Sequence, residues 1–226
     1  MLRLTLAVLA MLALTVSPAY AMNLQITEIW AGGLVGSEYT EDWFEVTNFG
    51  ESTESLGGLY YDDDSADPTK NFPLMGINTI APGESVIYVV DESTGISLFE
   101  DMWGSPNGDL SNVQIGYVDG SGLGGGGDAV YLFDGNTSEA NLVATAAYSV
   151  DTQLESFVSG ADGTWAENTF AANGVLGAYE GNLPATDEPE MGHPIGSPGV
   201  VPEPSMAAMM LGLLAAAGMA FRRSNR

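Results

Sequence analysis

Between residues 22 and 181 the apolar positions fall into short runs rich in aromatic and β-branched side chains, separated by Asp, Asn, Gly and Pro. That is the pattern of an all-β domain. Residues 24–30 form the first run; Glu28 interrupts its alternation, which predicts a bulge or an edge position. Residues 42–48 alternate cleanly, with Phe44 and Val46 facing the core and Trp43, Glu45 and Thr47 on the other face. After a polar turn at 50–55, residues 56–61 read as a short strand entered through glycines. Pro82-Gly83 sets a turn into residues 85–90, whose two apolar faces predict a central strand covered on both sides. At 96–103 the period changes: Ile96, Phe99, Met102 and Trp103 recur at helical spacing, with Gly104 as a stop. Residues 113–118 read as an edge strand, and 129–133 and 142–148 as neighbours joined through the turn at 134–136. Beyond Ser149 the pattern fades and one or two further strands are expected. Residues 182–201, rich in Pro, Glu and Gly, read as an extended tether.

The two ends carry a different pattern. Arg3, an apolar run from Leu4 to Val16 and the small residues Ala19 and Ala21 have the order of a secretory signal peptide over residues 1–21, with Met22 as the mature start. At the other end, Pro202-Glu203-Pro204 cannot continue a helix or a central strand. Seventeen uncharged residues, Ser205 to Phe221, follow it, and then Arg222, Arg223 and Arg226. A helix of that length spans roughly 25 Å, enough to cross a bilayer if the arginines reach the headgroups. The arginine cluster places its end in the cytoplasm and the body outside. One C-terminal transmembrane helix over 205–221 is therefore expected.

Proline-glutamate-proline, a short apolar helix and a terminal arginine cluster, in that order, resemble the PEP-CTERM sorting signal. The resemblance implies an exosortase as partner, which recognises Pro202, Glu203 and Pro204 and cuts near them. Arg222, Arg223 and Arg226 would act as the membrane stop. It covers residues 202–226 only.

Charge narrows the partners. All thirty acidic residues lie in residues 22–204, Glu203 of the tail among them, and the only basic residue there is Lys70, so the exported part carries a formal charge near −29. Such a field repels nucleic acid and anionic lipid, and favours cations or basic partners. With no cysteine there is no disulfide framework, thiol nucleophile or thiolate metal site. The one histidine, His193, falls in the Pro/Gly-rich segment, a poor place for a catalytic base.

Several runs of the body, in order, resemble the lamin tail domain: Ile26-Thr27-Glu28-Ile29, Asp42-Trp43-Phe44-Glu45-Val46-Thr47-Asn48, Leu56-Gly57-Gly58-Leu59 leading to Asp62-Asp63, Ile80-Ala81-Pro82-Gly83-Glu84-Ser85-Val86-Ile87, and Gly127-Asp128-Ala129-Val130-Tyr131-Leu132-Phe133-Asp134. The resemblance covers about residues 23–148, and Gly196-Ser197-Pro198-Gly199 also resembles the Pro-Gly ending of such domains; it implies an immunoglobulin-like β-sandwich, which is expected to occupy residues 22–181 and to serve attachment rather than catalysis. It departs from the family at Gly57-Gly58, where a serine is usual, and near Tyr60, where a tryptophan is.

Asp62, Asp63, Asp64 and Asp67 place four carboxylates in six residues, a candidate calcium site in the hard-oxygen chemistry that ion prefers. The alternative is a solvated acidic loop that discourages edge pairing. No spacing singles out a pair of carboxylates for glycoside hydrolysis among thirty. Trp30, Trp43, Tyr60, Tyr61, Trp103 and Trp165 include candidates for stacking on sugars, although most belong in a sandwich core. The reading is a non-enzymatic surface or matrix protein without a cofactor, whose body meets extracellular polysaccharide or another surface protein. Its rival is a calcium-dependent carbohydrate-binding module or polysaccharide hydrolase that uses the acidic loops.

Overall fold

The computed structural model describes residues 22–32, 41–63, 65–150, 154–183 and 192–200. The segments expected to be a signal peptide (1–21), a transmembrane helix (205–221) and a sorting motif (202–204) lie outside them, as does Asp64. Among the described residues no helix is long and apolar enough to cross a membrane.

Two main sheets build the body, and the described residues are all-β apart from one helix. The first sheet has five strands: β1 (Leu24–Trp30), β2 (Asp42–Asn48), β7 (Ser85–Val90), β8 (Gln114–Val118) and the short β11 (Phe157–Val158), in the order β11-β1-β2-β7-β8. The second has four, β10 (Leu142–Tyr148), β9 (Asp128–Phe133), β4 (Tyr60–Asp62) and β5 (Phe72–Pro73), in that order. Two small ladders complete it, β3 (Glu54–Ser55) with β6 (Thr79–Ile80) and β12 (Tyr179–Glu180) with β13 (Ile195–Gly196).

The inward faces meet as in a sandwich. Leu24, Ile26, Ile29, Phe44, Val46, Val86, Tyr88 and Val90 pack against Tyr61, Val130, Leu132, Ala146 and Tyr148. Phe44 stacks between Tyr61 and Tyr88 at 5.4 and 5.6 Å. Strand β7 is buried at all six positions between β2 and β8, as its doubly apolar run predicts. Pro82-Gly83 turns into it with Gly83 at φ +72°, a left-handed conformation that glycine adopts without strain.

The irregularity at Glu28 is a bulge, not an edge. Ile26 pairs with Val46 and Glu28 with Glu45, so one extra residue enters β1 between them. The bulge re-phases the strand: Ile26 and Ile29, three apart, both reach the sandwich core, and Thr27 and Glu28 turn to the opposite face.

That opposite face is also covered. Helix α1 (Gly95–Trp103) supplies the crossover that parallel β7 and β8 require, and it lays Phe99, Met102 and Trp103 on Trp30, Trp43, Ile87 and Val89. Trp103 meets Trp30, Trp43 and Tyr179 edge to face at 5.4, 5.5 and 6.0 Å. The helix ends where Gly104 N–H bonds the Glu100 carbonyl at 2.8 Å.

Residues 192–200, read from composition as tether, are folded onto the domain. Ile195 and Gly196 pair with Glu180 and Tyr179, Ser156 N–H bonds the Ile195 carbonyl at 2.9 Å, and Ser197 is buried. Asn182 is packed as well, its N–H on the Met102 carbonyl at 2.7 Å. Prolines and glycines with little apolar mass resemble a linker in composition. Pro194 and Pro198 are buried, and much of what holds this segment is polar.

Candidate functional site

The polar anchor is a pair of buried carboxylates on the helix-covered face of the five-stranded sheet. The β1 bulge and the β1–β2 register set Glu28 directly opposite Glu45. Both are almost wholly shielded from solvent, at 1 % relative exposure each.

Among the described residues, every bond these acids accept comes from a neutral donor. The Ser156 hydroxyl donates to Glu28 Oε1. Ser197 donates twice to the same side chain, its N–H to Oε1 and its hydroxyl to Oε2, both at 2.8 Å. Thr27 Oγ1 donates to Glu45 Oε1 at 2.5 Å and Gly199 N–H to Glu45 Oε2 at 2.7 Å. The hydroxyl chain continues from Thr27 to Thr47 at 2.8 Å and from Thr47 to Ser85 at 2.6 Å.

Burial penalises the charged form and raises both acids, Glu28 to about 7 and Glu45 to about 8; the neighbouring Glu28 charge pushes Glu45 further, while the hydrogen bonds pull both back. Two ionised carboxylates in a water-poor site repel strongly, so near neutral pH the pair holds a proton. Among the described residues the one ion pair is Lys70 with Asp67, at 3.4 Å on the surface.

A second acid organises one end of the sandwich. Asp42 opens β2 and accepts Gly32 N–H and Leu123 N–H, each at 2.5 Å, which closes the loop before β9 over the core. Burial lifts it to about 6, against those two bonds and with help from Asp128 and Glu41. Tyr61 and Tyr148 tie the same loop down, donating to the carbonyls of Ser121 at 3.1 Å and Gly124 at 2.9 Å.

The candidate calcium ligands serve their own loop. Asp62, 2 % exposed, accepts the Ser65 hydroxyl and Asp67 N–H, both at 2.8 Å, on Oδ2. Asp67 accepts Thr69 N–H at 3.0 Å and the Thr69 hydroxyl at 2.7 Å, which hold its carboxyl below the ordinary range. Asp63 follows directly after β4. Among the described residues no group of three or more His, Cys, Asp or Glu side chains gathers as a metal ion would need.

Of the candidate stacking aromatics, Trp30, Trp43, Tyr61 and Trp103 are core, and Tyr60 and Trp165 are half-buried. Trp165 donates its indole N–H to the Ala147 carbonyl at 2.8 Å. It lines an open groove of about 460 Å³ between the edges of β1 and β10, with Gln25, Thr145 and Thr164. His193 Nδ1 donates to the Gly181 carbonyl at 2.9 Å.

Glu28, Glu45 and Ser197 do not stand out as a site in the sequence. The available signal is an acid in mid-strand with apolar neighbours on both sides, present in β1 and again in β2.

No family model, no curated protein and no solved structure matches the chain.

Proposed function

We propose that this chain is an exported, non-enzymatic cell-surface or extracellular-matrix protein, delivered by a signal peptide and sorted through its C-terminal tail. The body is an immunoglobulin-like, lamin-tail-like sandwich. The helix at 205–221 holds it in the inner membrane with the body outside, until an exosortase acts near Pro202-Glu203-Pro204. The observation that carries this reading is the order of that triplet, the uncharged run and Arg222, Arg223 and Arg226.

The enclosure of the strongly shifted acids supports a binding or structural body over a hydrolase. Glu28 and Glu45 are committed to Ser156, Ser197, Thr27 and Gly199, and Asp42 to two backbone amides. A general acid or a nucleophile must reach a substrate. The body then meets its partner, an extracellular polysaccharide or a surface protein, with an acidic exterior.

Intact-mass analysis of the protein recovered from its native envelope tests the sorting. A mature C-terminus close to Pro204 is expected. A chain still ending at Arg226 overturns processing and leaves the tail as a plain anchor.

A further inference from the structure

We propose that Glu28 and Glu45 form a proton-held latch that docks residues 195–200 onto the five-stranded sheet and so limits how far Pro202-Glu203-Pro204 can stand from the folded body. Only the consequence for sorting rests on the function proposed above; the latch is a property of the body.

Three bonds from the segment end on this pair: Ser197 N–H and Ser197 Oγ on Glu28, and Gly199 N–H on Glu45. Elsewhere the segment is held through Ile195, which pairs with Glu180 of β12, donates its N–H to the Leu154 carbonyl at 2.7 Å and accepts Ser156 N–H at 2.9 Å, and through the buried Pro198; residues 197–199 bond the acids. Gly196 has no room for a side chain, since a Cβ there would lie 2.8 Å from both Glu28 Oε1 and the Trp103 ring. The segment therefore sits directly on the acids. While it is docked, Pro202 lies three residue steps beyond Gly199, a reach of roughly 10 Å at about 3.3–3.6 Å per residue. Once it is released back to Gly192, ten residues give roughly 35 Å.

Among the described residues, the groups facing the pair leave a proton as its means of neutralisation. From β1, β2 and β7 come the hydroxyls of Thr27, Thr47 and Ser85. Ser156 faces Glu28, and its neighbour Glu155 turns to Leu154 N–H. Helix α1 offers Trp103, with its acids Glu100 and Asp101 exposed. From β12 comes Tyr179, whose hydroxyl donates to the Trp103 carbonyl, and exposed Glu180, which accepts from Asn173. The docked segment itself brings His193, held by Gly181. None is a lysine or arginine. Losing the shared proton puts two adjacent negative charges in a site that water does not screen, and undocking the segment admits water to them.

Hydrogen–deuterium exchange at the Ser197 and Gly199 amides of the full-length chain in detergent micelles, from pH 6 to 9, tests this. Rates are expressed as protection relative to unstructured chain at each pH, with the amides of β9 as internal control. One proton lost on opening changes the equilibrium tenfold per pH unit. Between pH 7 and 9, protection at Ser197 and Gly199 is expected to fall at least tenfold more than at the β9 amides, and the Glu28→Gln/Glu45→Gln double variant should abolish that fall. If the double variant does not fold, Glu45→Gln alone removes the repulsion and serves instead. Protection that does not change with pH, or an unaltered fall in the variant, overturns the latch. The mass of the mature chain reports separately on sorting, so a processed tail with pH-insensitive amides removes the latch alone.

Discussion

Replacing Trp103 with alanine takes out the one side chain that joins α1, the five-stranded sheet and the C-terminal ladder. Its ring is fully buried and meets Trp30, Trp43 and Tyr179 at 5.4, 5.5 and 6.0 Å, all edge to face. A tryptophan buries about 150–250 Å², which at about 25 cal/mol per Å² is roughly 4–6 kcal/mol for full removal. Alanine retains part of that area and the edge-to-face terms are lost, so the cost should be about 4 kcal/mol, within the usual range for Trp→Ala. Trp103→Phe should cost less than half as much. The ring plane survives, and the indole Nε1 that is lost has no hydrogen-bond partner among the described residues. Urea denaturation of the exported body, followed by tryptophan fluorescence and circular dichroism, measures both. A loss under about 1.5 kcal/mol for Trp103→Ala, or equal losses for the two variants, would show that α1 is not packed as a second layer.

Stability should fall as pH rises from about 5 to 8, because Glu28, Glu45 and Asp42 are all raised above their unfolded values and the folded chain binds more protons across that window. Even one extra proton retained over two pH units is worth about 3 kcal/mol, or roughly 6–12 °C in Tm for a domain of this size; a Tm that climbs between pH 5 and 8 contradicts the burial of these acids. Asp62→Ala should cost about 2 kcal/mol by leaving Ser65 and the Asp67 amide without their acceptor, measured by urea denaturation, and a neutral result would mean that the loop does not depend on that carboxylate.

Strand identity was legible wherever the period was clean. Residues 42–48, 85–90 and 129–133 announce β2, β7 and β9 by alternation or by a continuous β-branched run, and the change of period at Ile96 announces α1. Legibility failed where an element is defined by pairing rather than by composition. β13 is two residues long, so its composition does not separate it from a linker, and the likeness of Gly196-Ser197-Pro198-Gly199 to a family ending is the one mark it carries. The second layer was half visible: helical spacing gives the apolar stripe of α1, but a stripe does not name the face it covers. Alternation along β2 puts Glu45 on the face away from the sandwich core, and it does not show that Thr27 and Gly199 meet it there.

The composition bears on why the site takes this form. A buried carboxylate is ordinarily offset by a lysine or arginine, yet between residues 22 and 204 the chain has one, Lys70, already paired with Asp67 at the surface. A domain this acidic that places two glutamates inside must use hydroxyls, backbone amides and a proton. Hydroxyls and amides are supplied by short, apolar-poor pieces of chain, which is what Ser156 and residues 197–199 provide. The same scarcity of cations that makes the exterior strongly negative therefore ties residues 195–200 to the protonation of Glu28 and Glu45. Placing a cation beside the pair should uncouple them: with Thr47→Lys, on the covered face next to Thr27 and Ser85, the acids would ionise at neutral pH and the Ser197 and Gly199 amides would keep their protection to pH 9. If protection in that variant still falls with pH as in the parent chain, charge repulsion is not what opens the segment.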